Sequence, residues 1–467
     1  MNQPSRTGPG RERPIASFAL SFFALICAIC LCATVLQSCT YQPLPGPKLL
    51  TAEPTLRRSG DVTVRTLTSG LTLIHRQNTA NQIVGVVMMI RTGAVDEDAA
   101  KNGSINLMMR VLTKGTTTRT SQQISEEMGQ MGSSVTASAG HDTCRVSFQS
   151  VREDAATAFE ILADVIKNPT FPNDQLELEK NKVLSQIRMN EDSSSTQVSK
   201  RFQAQLFGTH PYGRPIEGTP ETIPQVFQSD LALLHAAEFV PSNMVLSIVG
   251  NLSETEAVAL AEKHFSDPGP ERVRRFNVDK IITPTASRRE FSKAAHQGFI
   301  MLGTPACGIK DPDMPALEVA AAILGSGMSS RLFTELRDKQ GLAYAIGAYT
   351  QHHDRQGYFA AYIGTAPANV DKATDGLWTE ITKLRETVVS EDELLRTKNY
   401  LTGEYLRAHE RNSQQAGFLA YWYATGLGVD HDKEYLEAIN AVTPRDVMRV
   451  ANKYFLDPTV TVLRPSS

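Results

Sequence analysis

The chain has 467 residues, 41% of them hydrophobic and 21% charged, and a formal net charge of −3. This length exceeds one ordinary domain and suffices for at least two sizeable cores. The charge balance lacks the basic bias of a nucleic-acid binder, and nothing in the pattern suggests phosphate or dinucleotide binding.

In chain order, Arg6, Arg11 and Arg13 precede an apolar run from Ile15 to Leu36 that no charge interrupts, the pattern of an export signal over residues 1–39. Its end, Leu36-Gln37-Ser38-Cys39, resembles a bacterial lipobox, in which the cysteine is acylated and becomes the new N-terminus. Cys39 is then the lipidation site. Thr40, in place of an aspartate, resembles the outer-membrane sorting pattern, which implies a lipoprotein of the cell envelope facing the periplasm. An uncleaved membrane anchor is the alternative, since an apolar run of about 20 residues spans a bilayer. Residues 40–62 start proline-rich and aperiodic and read as a flexible tether. Beyond the leader only Cys144 and Cys307 remain, which excludes a disulfide framework. Two buried free thiols are expected, with one bond between them as the alternative.

The body opens with a buried strand running from Val86 into the turn at Gly93-Ala94, followed by a helix over residues 104–113 in the stretch Gly103 to Thr116. Ile105, Met108 and Leu112 read as core positions of that helix. An amphipathic helix is predicted over Asp154–Lys167. Residues 271–290, with prolines just before them and a basic cluster within, read as a linker between residues 63–270 and 291–467. The second part repeats the first. Gly298–Gly303 answers to Ile83–Arg91, Tyr358–Ile363 to Cys144–Gln149, Val370–Leu384 to Asp154–Lys167, and the segment from Asp392 to the one from Asp174. The fold class is therefore α+β, with two homologous α/β sandwich domains of mixed sheet and packed helices.

Three stretches resemble pitrilysin and insulinase-type metallopeptidases: the helix ending in Lys114-Gly115-Thr116, the helix carrying Glu179, and Ser329 to Tyr344. In that family a His-x-x-Glu-His helix binds zinc with a glutamate from a later helix. The matching positions are Asn106, Met109 and Arg110 on the first helix and Gln186 on the second. Arginine repels a metal cation, methionine is no general base, and an amide is a poor substitute for a carboxylate on zinc. The resemblance thus implies a lost zinc site, with Glu179 kept as the supporting acid. It also implies that Arg337 and Tyr344, seven residues apart, are the pair that holds the peptide or its scissile carbonyl across a cavity, with Gly341 as the tight turn between them. Ser134, Val135, Thr136 and Ala137 resemble the family's substrate edge strand.

Some relatives divide the work between two chains, and this one resembles the zinc-free type. The resemblance implies a heterodimeric peptidase in which Arg337 and Tyr344 serve the zinc site of a partner with an intact His-x-x-Glu-His. This chain would hold no cofactor, would be inactive alone, and would act on extended peptides. The alternative is a non-catalytic scaffold or peptide-binding protein of the same fold. No displaced metal site is read elsewhere. His235-Ala-Ala-Glu238-Phe239 lacks a second histidine, and His352-His353 is expected on a solvent-exposed hairpin, with the two rings on opposite faces of a strand.

Overall fold

Strands that are apolar along almost their whole length must be covered on both faces, and the chain supplies several: Val245 to Val249, interrupted only by Ser247, Val84 to Ile90 and Phe299 to Leu302. The computed structural model describes residues 52–270, 272, 282–283 and 285–466, which belong to one structural unit. The export signal, Cys39 and most of the linker lie outside the described residues. Among those described, no helix is long and apolar enough to cross a membrane.

The first half opens with β1 (Thr55–Ser59), β2 (Val62–Thr66), β3 (Thr72–Gln77) and β4 (Ile83–Ile90). Then come α1 (Ser104–Leu112), α2 (Ser121–Gln130), β5 (Thr136–Ala139) and β6 (Cys144–Val151). It continues with α3 (Ala155–Lys167), α4 (Asn173–Asp192), α5 (Ser194–Phe207) and α6 (Gln228–Glu238), and closes with β7 (Met244–Gly250) and α7 (Glu254–Phe265). The second half holds β8 (Ser287–Ala294), β9 (Gly298–Pro305), α8 (Met314–Gly325) and a π-helical segment, Phe333–Lys339. There follow β10 (Ala345–Gln351), β11 (Tyr358–Thr365), α9 (Val370–Glu386) and α10 (Glu391–Ala408). The chain ends with α11 (Asn412–Ala424), α12 (His431–Ala441), α13 (Pro444–Tyr454) and β12 (Thr459–Ser466).

The two sheets run β1-β2-β3-β7-β4-β6-β5 and β10-β11-β9-β12-β8. Read from β3 and β8 respectively, they share one plan. β3 and β7 are parallel, as are β8 and β12, and every later pair is antiparallel in both. The repeat expected from the sequence is therefore a repeat of topology. The tether is shorter than expected, because residues 55–59 pair with β2 from Thr55↔Thr66 to Ser59↔Val62. This edge strand is solvent-exposed and carries Arg57 and Arg58, so no apolar alternation marks it in the sequence.

One face of each sheet packs on helices of its own half. In the first, Val86, Met88 and Ile90 meet Ile105, Met108, Phe159 and Leu162 in one buried cluster. In the second, Ile300, Leu302 and Phe359 meet Leu317, Leu377 and Val447. The opposite faces are covered by exchange. α5 of the first half places Val198, Phe202, Leu206 and Phe207 against Phe299, Met301 and Leu463 of the second sheet. α11 of the second half places Ala416, Leu419 and Ala420 against Val64, Val87, Met89 and Val245 of the first. Each buried aromatic or aliphatic side chain contributes roughly 1.5–3 kcal/mol, so the two halves are bound together by far more than their linker. Cys144 and Cys307 are free and buried.

Candidate functional site

α1 is helical because its apolar residues fill the core on most sides and its N-terminus is capped from outside the helix. The Glu97 carboxylate accepts hydrogen bonds from the backbone N–H of Gly103 (2.8 Å) and Ile105 (2.6 Å) and from Asn102 Nδ2 (3.0 Å). Burial nevertheless raises its pKa to about 7. Met109 is fully buried with Ile105, Met108 and Leu112, so position 109 faces the core. Asn106 and Arg110, four residues apart, share the more open face.

On that face Arg110 Nε donates to Glu179 Oε2 of α4 at 3.0 Å, and Lys182 Nζ donates to Glu179 Oε1 at 2.8 Å. Lys114 Nζ stands 3.8 Å from the same carboxylate. Burial alone would push Glu179 up, but the Lys182 hydrogen bond and the charges of Arg110 and Lys114 outweigh it and hold the group below the usual carboxylate range. Gln186 is exposed and donates through Nε2 to Asn190 Oδ1 at 3.0 Å, one turn along the same helix. The donor set does not fit zinc. Where the resemblance sets the second histidine stands the Arg110 guanidinium, Glu179 is neutralised by cations, and no group of three or more His, Cys, Asp or Glu side chains among the described residues could hold a metal ion.

The segment from Ser329 to Tyr344 is pinned by Leu332, Leu336 and Leu342, all buried, and by a two-pronged Arg331–Glu393 contact at 2.8 and 2.7 Å. Gly341 has φ +61°, and Leu342 N returns to Leu336 O at 2.8 Å, so glycine makes the tight turn. Tyr344 N donates to Gly364 O at 2.9 Å, while its side chain is 68% exposed. It lines a cleft of about 1330 Å³ with Ser193 and Ser195 at the α4–α5 junction and Phe299, Tyr349 and Tyr362 of the second sheet. Arg337 is exposed, stacks its guanidinium 4.7 Å from the Phe333 ring and lies outside the residues lining this cleft. Tyr344 thus lines the cleft and Arg337 does not, the two lying on either side of the turn at Gly341.

β5 ends the first sheet, as expected of a substrate edge strand, and Thr136 and Ala137 lie in it. Ser134 and Val135 precede the strand, while Ser133 Oγ ties this approach to Gln149 O at 2.7 Å.

A second cleft, about 670 Å³, joins the halves near His141, Asp142 and His353. The His352-His353 hairpin is buried there and not solvent-exposed: Tyr212 stacks on His353 at 4.2 Å, and His141 meets it edge-on at 4.9 Å. Asp142 accepts hydrogen bonds from Tyr212 Oη (2.7 Å) and Asp354 N (3.1 Å). Burial, then the charge of Arg214, lowers His141 to about 4, and burial raises Asp142 to about 6. Sequence reading missed this seam because its members come from three distant segments. The one local sign was the aromatic and histidine content of His210-Pro-Tyr-Gly. His235 is structural, with Nε2 at 2.8 Å from Ile166 O.

The sequence model of insulinase, peptidase family M16, matches residues 72–220, and that of the peptidase M16 inactive domain matches residues 228–401. The chain belongs to the M16 peptidase family. An uncharacterized zinc protease of Rickettsia felis is 28% identical to this M16 chain over 400 residues, 85% of this chain and 96% of that protein. An uncharacterized zinc protease of Bacillus subtilis is 26% identical over 404 residues, 86% and 98% of the two. Among solved structures, a peptidase M16 inactive domain from Pseudomonas fluorescens superposes with a TM-score of 0.81 at 22% identity, covering 87% of this chain and 99% of that one. A protease from Helicobacter pylori gives 0.82 at 21% identity, covering 89% and 100%. These structural likenesses concern the fold. The duplicated sandwich is the M16 fold.

Proposed function

We propose that this chain is the zinc-free subunit of a heterodimeric metallopeptidase of the cell envelope. It supplies Tyr344 and Arg337 to the active site of a partner that carries an intact His-x-x-Glu-His and holds the zinc. The observation that carries this reading is the pairing of a face that cannot bind metal with a tyrosine whose hydroxyl stands free in an open cleft between the halves. A phenol aimed at an acyl oxygen donates a hydrogen bond as negative charge develops there, and a guanidinium orients the peptide backbone. Extended peptide would add to β5, whose outer edge no described strand covers. Lipidation at Cys39 would hold the complex at the membrane.

The test is co-purification with a neighbouring zinc-bearing relative and assay on unfolded peptides. Tyr344→Phe and Arg337→Ala should each lower kcat by about tenfold to a hundredfold while complex formation persists. Zinc-dependent hydrolysis by this chain alone would overturn the reading. The second reading, a scaffold or peptide-binding protein of the same fold, is favoured by the placement of Arg337 outside the cleft. Unchanged turnover in both variants selects it.

A further inference from the structure

The face that lost its zinc donors is now charged in the opposite sense to a metal site. Arg110, Lys114 and Lys182 bring three positive charges to the single carboxylate of Glu179, and among the described residues they meet no second acid. Arg110 uses only Nε on Glu179, which leaves the Nη edge of its guanidinium unpaired. Lys182 spends one of its three N–H donors, and Lys114 is too distant for a hydrogen bond. The cations are open to solvent, 41% for the Arg110 side chain and 49% for Lys182, whereas Glu179 is 5% exposed. An arriving group therefore meets the donors and not the carboxylate beneath them. Beside Lys114 a cleft of about 610 Å³ continues past the hydroxyl-bearing Thr116, Thr117, Thr120 and Ser121, with Arg119 and one acid, Asp174, also in its lining.

We propose that this face is a receptor for a peptide carboxylate, either an acidic side chain or a free C-terminus, gripped by the Arg110 fork with Lys182 and Lys114 alongside. A planar carboxylate matches the free guanidinium edge. A phosphate dianion fits less well, because Arg110 lies in the last turn of α1, whose electronegative end opposes two negative charges more than one. The chain's net charge of −3 gives acidic peptides no general attraction, so binding would be local to this face.

The experiment is fluorescence anisotropy of the full chain with a labelled extended peptide bearing several glutamates, its glutamine counterpart, and both with free or amidated C-termini. The carboxylate-bearing form should bind at least about tenfold more tightly than its neutral counterpart and weaken with added salt. Loss on replacement by glutamine assigns the side chains, and loss on amidation assigns the terminus. Arg110→Gln with Lys182→Gln should weaken binding about tenfold. Because that variant strips a buried acid of its partners, Glu179→Gln serves as the second. It removes the internal competitor and should tighten carboxylate binding, which a merely structural role for these residues does not produce. Equal affinity for charged and neutral peptides, or weaker binding by Glu179→Gln, overturns the proposal. No partner chain is needed, so the outcome is separate from that of the catalytic pairing.

Discussion

His141 is half-buried between the halves, where its charged form is poorly solvated, and this gives the fold a defined response to acid. Burial and the nearby Arg214 keep its folded pKa at about 4, against an ordinary 6.5. As pH falls below 6.5 the unfolded imidazole takes a proton that the folded one refuses, so this group's share of stability is complete above 6.5 and is lost towards 4. His353 is lowered for the same reason. Asp142 acts in the other direction: its folded pKa of about 6, against 3.8, means that folding holds its proton more tightly, and acidification between 6 and 3.8 favours the fold through it. We expect His141→Gln to lose less thermal stability than the parent between pH 6.5 and 4, as measured by Tm at each pH. An identical slope in both proteins would show that His141 titrates normally. The same region shows what single residues conceal in a sequence. Arg110 and Glu179 were each singled out in the sequence, but their pairing was not, since it joins two helices 69 residues apart. Nor was the burial of His353, since it depends on Tyr212, more than a hundred residues away.

The exchanged helices depend on glycines that let them come close. A methyl group on Gly85 of β4 would lie 2.5 Å from Ser413 Cα of α11, and one on Gly303 of β9 would lie 2.7 Å from Phe202 Cζ of α5. We expect Gly85→Ala to destabilise the protein by about 1–3 kcal/mol through overpacking, and Phe202→Ala by about 3–5 kcal/mol through the cavity it leaves. Urea denaturation gives both values. Central strands such as β4, β9 and β11 were legible because burial on two faces writes them as largely apolar runs, and β6 because apolar and polar residues alternate along it. β1 was not, because an edge strand paired on one side tolerates the polar Thr-Leu-Arg-Arg-Ser sequence. α5 and α11 were not read from the sequence, since the surface each one covers belongs to the other half. The placement of Arg337 outside the cleft was hidden for a related reason: a π-helical turn rotates side chains differently from the 3.6-residue repeat assumed in reading a sequence.

The whole molecule is an interlocked pair, and its halves should not behave as beads on a string. If the chain is cut between residues 272 and 282 and the fragments are co-expressed, we expect them to co-purify as one particle and to unfold in one cooperative transition. Two separate transitions, or fragments that elute apart, would show that the exchanged helices contribute little. The reciprocal arrangement also bears on how the protein is made. The first sheet is complete once β7 has been synthesised, but the face bearing Val64, Val87, Met89 and Val245 stays bare until α11 emerges much later in the chain. At roughly 5–20 residues per second, the interval is on the order of ten seconds or more. During that time the nascent chain presents a wide apolar sheet with open edges. A chain that stops before α11 is therefore expected to aggregate and not to yield a smaller working domain.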